Sequence, residues 1–191
     1  MAKRRPIKVK EKWKGKEWYQ IISPKYVGGA TIGETMAADP KNVLGRVVEA
    51  SLIDLKGDPG KYYLKLFFKI KDIDGTKAIT RFFGHTCTKD FVARSVQIRT
   101  SRIDTNNIID LKDGKMRVKT LAVSNRAVRS NVKAQIRQFI VNELKTELPK
   151  LTTEEFVKEL IAGKFQQGVR KKLNKIYPTR TFEFRKTEII E

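Results

Sequence analysis

Apolar and charged residues alternate along residues 61–71, KYYLKLFFKIK. The even positions are all apolar or aromatic, whereas the odd positions are lysines interrupted by Tyr63 and Phe67. A period of two predicts a β-strand with one face in a core. The other face has two possible roles. Its lysines could simply face solvent while a neighbouring segment covers its two aromatic rings, or the whole face could bind a phosphate backbone and exposed bases. We expect protein to cover Tyr63 and Phe67, leaving Lys65 and Lys69 as secondary RNA contacts at most.

Two turn signals predict β-hairpins, at Asp74-Gly75 and at Asp113-Gly114. The register of the first hairpin is open by one residue. A two-residue loop pairs Phe67 with Phe82, whereas a four-residue loop pairs Phe68 with Phe82 and sets two cations opposite each other.

Short strands with brief connections dominate the first two thirds of the chain, which is typical of a sandwich or barrel. Residues 19–41 contain glycine and proline breaks and predict loops, and residues 86–93 predict a short helical turn. The predicted strands cover residues 42–53, 61–71, 76–83, 96–105, 108–111 and 115–123.

Helical periodicity begins at Ser124, where Ser124 or Asn125 could cap a helix that extends to about residue 148. Thr152 and Glu155 form a capping-box pattern for a second helix that ends at Gly163. A third helix is predicted over 164–177, and residues 179–190 return to a strand pattern that could add to a sheet edge.

These patterns together predict an α+β fold with an antiparallel β core, either a sandwich or a barrel, followed by C-terminal helices and preceded by an extended basic N-terminal arm. The predicted organisation is an arm at residues 1–18 and one domain at 19–191, which is β-rich over 42–123, helical over 124–177 and extended over 179–190. The arm carries too few apolar residues to offset the cost of ordering its backbone alone.

Charge points to a polyanionic partner. Lysine and arginine number 41 against 21 acidic residues, which gives a net charge of +20. Such an excess favours nucleic acid over an anionic membrane surface. No run approaches the length of a transmembrane helix, and no apolar segment follows the N-terminal cations as in a secretory signal. A single cysteine, Cys87, fits a reducing cytoplasm.

The candidate RNA contacts are cations in three places: the arm, one face of the first helix, and other strand and helix segments. Trp13 of the arm is added because it could stack on a base. The helical row 126, 129, 133 and 137 has spacings of three, four and four, which places its members on one side of a helix. Arginine is favoured because its planar fork binds phosphate through two hydrogen bonds and stacks on bases. The candidates are Lys3, Arg4, Arg5, Lys8, Lys10, Lys12, Trp13, Lys14, Lys16, Arg99, Arg102, Arg126, Arg129, Lys133, Arg137, Arg170, Lys171, Lys172, Lys175 and Arg180.

Catalytic and metal chemistry lack the residues they need. The glycine-rich stretch 28–35 imitates a phosphate-binding loop, but Glu34 occupies the position of the essential lysine. His85 and Cys87 are the only histidine and cysteine, and a structural zinc site takes four ligands. They predict a hydrogen-bonded imidazole and a buried thiol. We expect no enzyme activity, no cofactor, no metal and no small-molecule substrate.

Residues 43–55, VLGRVVEASLIDL, resemble the signature segment of the archaeal and eukaryotic small-subunit ribosomal protein family S3Ae. The resemblance extends to the KEWY element at 16–19, the LKLFFKI strand and the IRTSR segment at 98–102. It implies a structural ribosomal protein on the platform of the small subunit, near the mRNA exit and the 3′ end of the ribosomal RNA. It also implies that the antiparallel β core is barrel-like, with the C-terminal helices packed against it. Eukaryotic members have longer C-terminal tails, so the end at residue 191 leads us to expect an archaeal member.

The resulting prediction is a structural constituent of the small ribosomal subunit that binds ribosomal RNA and supports translation. Its expected partners are that RNA, neighbouring small-subunit proteins and mRNA near the exit, with no membrane. The alternative is an RNA-binding translation factor that visits ribosomes. For Arg46 and Glu49 in the signature segment, the sequence allows two roles: they pair across strands, or they contact RNA.

Overall fold

The computed structural model describes residues 15–190, which form an eight-stranded mixed sheet and five α-helices. The strands are β1 Glu17–Ile22, β2 Thr31–Ala37, β3 Val47–Ser51, β4 Leu64–Asp74, β5 Lys77–Cys87, β6 Arg102–Leu111, β7 Gly114–Ser124 and β8 Thr179–Ile190. The helices are α1 Leu52–Lys56, α2 Lys89–Ser95, α3 Ser130–Glu147, α4 Thr153–Ala162 and α5 Lys164–Leu173. The α+β class is therefore confirmed.

β5 is the junction of the sheet. β4 pairs along one edge of β5, and β3 pairs beyond β4. On its other edge, the first residues of β5 pair with β1 and residues Gly84–Thr86 pair with β8. From β5 the sheet thus branches to β1–β2 and to β8–β7–β6.

The prediction of a purely antiparallel, barrel-like core is not confirmed. β1 and β5 run parallel, so the sheet is mixed. Among the described residues, β2, β3 and β6 each pair along one edge, which leaves the sheet open. Residues 19–41, predicted as loops, contain most of β1 and all of β2. Glycine residues in this stretch favour loops in a sequence-based prediction. In addition, β2 is an edge strand with little buried surface, so its apolar residues alternate only weakly.

The predicted hairpin at Asp74 forms with a register that combines features of both alternatives. Phe68 pairs with Phe82 and Lys69 with Arg81, as in the four-residue-loop alternative. The tip nevertheless closes more tightly, because Asp74 pairs with Lys77. Two irregularities in the ladder, one on each side of the Phe68 pair, absorb the difference.

The C-terminal strand is interior and not at an edge as predicted. β8 pairs with β5 on one side and β7 on the other. The strand predicted at 96–105 begins only at Arg102, and the preceding residues form a turn in which Arg99 has φ 65°. The two predicted segments 96–105 and 108–111 therefore give one continuous strand, β6.

The signature segment contains a turn at residues 43–46, then β3, then the start of α1, so the strand predicted over 42–53 is wrong at both ends. β3 ends at Ser51, whose hydroxyl accepts a hydrogen bond from Ile53 N at 3.4 Å and so caps α1. Arg46 donates to Thr35 Oγ1 at 2.6 Å and to the Met36 carbonyl at 3.1 Å. These bonds fix the loop before β3 to β2. Glu49 pairs with Lys65 across β3 and β4 at 2.6 Å.

Helices α3–α5 bury their apolar stripes on the sheet. α3 packs on β6 and α5 on β8. The predicted capping box is confirmed: Glu155 N donates to Thr152 Oγ1, and Thr152 N donates to the Glu155 carboxylate. α4 ends at Gly163, whose φ of 75° suits glycine, as predicted.

Phe184 of β8 is the centre of the main core. Its ring lies 5.5 Å from Phe156 of α4 and 5.4 Å from Phe165 of α5, measured between centroids. The even residues of β4 from Leu64 to Ile70 are buried as predicted, but Tyr62 precedes the strand and is 42% exposed.

Gly84 lets β5 and β8 approach each other closely. A Cβ atom at this position would lie 2.3 Å from the Thr187 carbonyl oxygen, which belongs to backbone and cannot turn away. We expect Gly84→Ala to lower the free energy of unfolding by about 2 kcal/mol or more, as overpacking does in a tight core. Urea denaturation measures the loss.

Gly33→Ala is the matched control, because nothing lies within 4 Å of a Cβ placed there on β2. It should change stability by less than about 0.5 kcal/mol. Equal stability of the two variants would contradict the importance of the close approach.

Candidate nucleic-acid interface

Three chain segments meet at one end of the sheet, where β6 begins and β7 ends. Ser101 N donates to Ser124 Oγ at 3.0 Å, and Ser124 Oγ donates to the Arg126 carbonyl at 2.6 Å. Asn125 N donates to the Pro178 carbonyl at 3.1 Å, which fixes the start of β8 beside them. Val128 N donates to Ser101 Oγ at 3.0 Å. Hydrogen bonds between segments far apart in the sequence thus hold these loops together.

Predicted contact residues from all three segments lie at this end of the sheet. We call Arg99, Arg126, Arg129, Arg170 and Arg180 the sheet-end arginines; all five are exposed. One of them, Arg180, donates from Nη1 to the side-chain oxygen of Gln97, and Arg170 donates from Nε to the Thr179 carbonyl at 3.3 Å. These bonds orient the guanidinium groups while leaving other N–H donors for phosphate.

The predicted helical row of four cations is wrong in part. α3 begins at Ser130, so Arg126 lies in a bend and Arg129 is the residue before the helix. Ser124 cannot cap a helix because it ends β7 and bonds to Ser101. Lys133 and Arg137 remain on α3 one turn apart, half-buried and exposed respectively.

Two predicted contacts are already paired with acids. Arg102 binds Asp104 at 2.6 Å, and this hydrogen bond raises the pKa of the guanidinium. Lys172 of α5 binds Glu143 of α3 at 2.6 Å. Both pairs are partly exposed, so they contribute little to stability. Lys171 and Lys175 are exposed and make no ion pair within the described part of the chain.

The arm lies almost wholly outside the described residues. Lys3, Arg4, Arg5, Lys8, Lys10, Lys12, Trp13 and Lys14 precede residue 15, and nothing structural follows for them. Lys16 is exposed just before β1. The neighbouring Trp18 lies within β1 with 56% of its surface exposed.

The charged face of β4 is not a free stacking platform. The ring of Tyr63 stacks on Phe91 of α2 with centroids 3.9 Å apart, which confirms that protein covers it. Phe67 is half-buried, and Lys65 pairs with Glu49. The ammonium of Lys69 lies 5.6 Å from the centroid of the Phe83 ring.

A small cleft of about 220 Å³ adjoins the sheet-end arginines and contains Glu183. Tyr63 OH donates to the Glu183 carboxylate at 3.3 Å. Burial raises the Glu183 pKa from 4.5 to about 7, although the hydrogen bond from Tyr63 and the charge of Lys61 act in the opposite direction. Desolvation therefore outweighs the favourable contacts.

His85 and Cys87 of β5 are bonded to β8. Both donate to the Phe184 carbonyl, from Nε2 at 2.9 Å and from Sγ at 3.1 Å. Because that carbonyl can only accept, His85 carries its proton on Nε2, and its Nδ1 accepts from the Thr187 hydroxyl at 2.6 Å. Burial lowers the pKa of His85 to about 4 and raises that of Cys87 to about 12. The predicted hydrogen-bonded imidazole and buried thiol are confirmed.

Residues 15–190 contain neither of two other kinds of site. No group of three or more histidine, cysteine or acidic side chains there could hold a metal ion. In the same residues, no helix has the length and apolar character needed to cross a bilayer.

Sequence reasoning missed one set of cations, Lys119 of β7 with Arg185 and Lys186 of β8. They converge in a pocket beneath α2. At Phe184-Arg185-Lys186 the alternation of apolar and polar residues along β8 is interrupted. This interruption was the one sign in the sequence of the β-bulge that brings the three cations together.

Comparison with known proteins identifies the family. The model of the ribosomal S3Ae family matches residues 4–191. The chain belongs to that family. A small ribosomal subunit protein eS1 of Methanothermobacter thermautotrophicus is 39% identical, covering 100% of this chain and 98% of the relative. The eS1 proteins of Sulfurisphaera tokodaii and Desulfurococcus amylolyticus are each 36% identical, covering 96% and 100% of this chain and 95% and 90% of the relatives.

Membership of the ribosomal S3Ae family confirms the resemblance seen in the signature segment. It also confirms that the chain is a ribosomal protein and not an enzyme. The structure explains the signature in part, since Ala50 and Leu52 are buried in the main core and Arg46 ties β2 to the loop before β3.

The raised pKa of Glu183 predicts a pH-dependent stability. The Glu183 pKa is about 7 in the folded protein and 4.5 in the unfolded chain. The stability that protonated Glu183 contributes to the fold is therefore fully present below pH 4.5 and is lost as the pH rises through 7. Glu183→Gln should therefore match the parent near pH 4.5 and be more stable by about 2–3 kcal/mol near pH 8. Urea unfolding across this range measures the difference.

Glu188→Gln is the control of opposite sign, because the hydrogen bond from Lys186 lowers the Glu188 pKa. Removing the Glu188 carboxylate should lower the free energy of unfolding above pH 4.5. A Glu183→Gln variant that gains nothing at pH 8 would show that the carboxylate is solvated in the folded protein.

Proposed function

We propose that this protein is a structural constituent of the small ribosomal subunit and binds ribosomal RNA mainly through phosphates. The observation that carries the proposal is the set of sheet-end arginines, which three hydrogen-bonded segments and α5 present together. A net charge of +20 supports the same conclusion, because a compact chain so charged is stabilised by a polyanion.

Recognition depends on RNA shape and charge in this proposal. The sheet-end arginines, with Lys133 and Arg137 of α3 and Lys171 and Lys175 of α5, provide donors for phosphate spread over one end and one side of the molecule. Distributed phosphate contacts fix position and orientation, and they carry little sequence information.

The basic arm supplies the second part of the interface. Its eight cations within residues 1–16 stand against a single acid, Glu11, and precede β1 in the sequence. We propose that the arm orders along RNA when the protein joins the subunit. The family resemblance favours a position on the platform near the mRNA exit, with neighbouring ribosomal proteins and mRNA as further partners, and a cytoplasmic, ribosome-bound location.

A translation factor that visits the ribosome is the alternative. An integral protein stays with small subunits in a sucrose gradient at high salt, whereas a factor is stripped from them. Relatives named as small-subunit proteins favour the integral role.

Replacing Arg126 and Arg129 by glutamine should weaken binding to a fragment of small-subunit RNA, about tenfold for each phosphate interaction removed. The slope of log affinity against log salt should fall by about one for each arginine replaced. Filter binding between about 50 and 200 mM salt measures both quantities.

Lys41→Gln is the control for the arginine variants, because it removes one exposed charge from the turn Pro40–Asn42, away from the sheet-end arginines. It should leave affinity nearly unchanged. Parent affinity that does not respond to salt would contradict phosphate-dominated binding.

Deleting residues 2–14 should reduce RNA affinity more than the double change Lys65→Gln and Lys69→Gln. The deletion removes seven cations and ends before β1, so it spares the sheet. Lys65 is paired with Glu49, and Lys69 lies near the Phe83 ring. We therefore expect both ammonium groups to bind phosphate less readily than the cations of the arm. The reverse order of effects would place the main interface on β4.

A further inference from the structure

A pocket of about 510 Å³ lies between α2 and the strands β5–β8. Its size falls within the range of about 300–1,000 Å³ that is typical of small-molecule sites. One wall is apolar and consists of Val92, Ala93 and Val96. The first and last of these side chains are half-buried, while Ala93 is exposed at the rim.

Cations make up most of the remaining lining, which also includes Thr86 and Cys87 of β5. Lys119 and Lys186 stand directly opposite each other on the paired strands β7 and β8. Like charges at facing positions destabilise a sheet unless something offsets their repulsion. The five cations that line the pocket are Lys89, Arg102, Lys119, Arg185 and Lys186. Carboxylates pair with two of them, Asp104 with Arg102 and Glu188 with Lys186. The pocket therefore keeps an excess of positive charge.

Arg185 is placed in this pocket by a β-bulge. Lys119 pairs with Lys186 and Thr120 pairs with Phe184, so Arg185 is an extra residue in β8. Bulges re-aim side chains and occur often beside functional sites. Arg185 Nε is buried without a hydrogen-bond partner among the described residues. A buried guanidinium N–H without a protein partner takes its acceptor from water or from a bound group.

We propose that this pocket holds one unstacked nucleotide of RNA, with its phosphate on Arg185 and Lys119 and its base against Val92 and Val96. The proposal rests on the proposed RNA-binding function and deepens it. Proteins that bind RNA commonly take bases from loops and bulges out of the stack. An apolar wall beside a cluster of cations suits a base joined to a phosphate, whereas inorganic phosphate would use only the cationic part.

The first experiment follows the methyl signals of Val92, Ala93 and Val96 by NMR in the full-length protein. Titration with a nucleoside 5′-monophosphate should shift these methyls, whereas the nucleoside alone should shift them much less. Inorganic phosphate should compete with the monophosphate without shifting the methyls to the same extent. Equal shifts with the nucleoside and the monophosphate, or no shift with either, would overturn the proposal.

The second experiment uses RNA itself. Fragments of small-subunit RNA that carry 4-thiouridine are crosslinked to the protein, and the attached peptides are mapped by mass spectrometry. Crosslinks to α2 should fall about tenfold in Arg185→Gln, as expected for the loss of a charged hydrogen bond. Ala93→Leu narrows the pocket from its exposed rim and keeps every charge, so it should remove the same crosslinks without changing the melting temperature.

Lys41→Gln serves again as the charge control and should retain the α2 crosslinks. If RNA binds with normal affinity but α2 crosslinks are absent or survive Ala93→Leu, the pocket proposal fails while the proposed function stands. If the RNA does not bind at all, the proposed function itself fails. Displacement of the monophosphate by an acidic peptide but not by RNA would assign the pocket to a protein partner and overturn the nucleotide proposal.

Discussion

The contact between β5 and β8 at Phe184 holds the two branches of the sheet and the helices together. The Phe184 carbonyl accepts hydrogen bonds from His85 and Cys87, while its ring packs between α4 and α5. One residue thus joins a polar contact inside the sheet to the aromatic core under the helices. Gly84 allows the two strands to come close enough for this, because any larger residue would meet the Thr187 carbonyl.

Both regions assigned to RNA depend on the position of β8. Its first residues lie beside the end of β7, where the bond from Asn125 to Pro178 brings the sheet-end arginines together. Its bulge at Arg185 points a guanidinium toward α2. The high charge of the molecule is compatible with folding because most cations lie on the outside of a core built from apolar side chains.

Features fixed by neighbouring residues could be predicted from the sequence. The strand alternation of β4, the turn after Asp74, the capping box at Thr152 and the stop at Gly163 all depend on local chemistry. The α+β class and the family resemblance follow from the same local patterns.

Features fixed by distant residues could not be predicted. Helix α3 was predicted to begin at Ser124 but begins at Ser130. The difference arises because Ser124 is hydrogen-bonded to Ser101, which lies 23 positions earlier in the chain. The parallel pairing of β1 with β5 and the interior place of β8 depend on contacts between segments far apart. The cationic pocket was missed for the same reason, since a bulge gathers Lys119 and Arg185 from separate strands.

The interior position of β8 has a consequence for synthesis of the chain. Helices α3, α4 and α5 are made between β7 and β8, so the edges of β5 and β7 that β8 will cover stay unpaired while three helices emerge. Chains grow at about 5–20 residues per second, and unpaired strand edges are prone to aggregate during that interval. A nascent chain of this protein therefore gains the sheet order described here only when β8 leaves the exit tunnel.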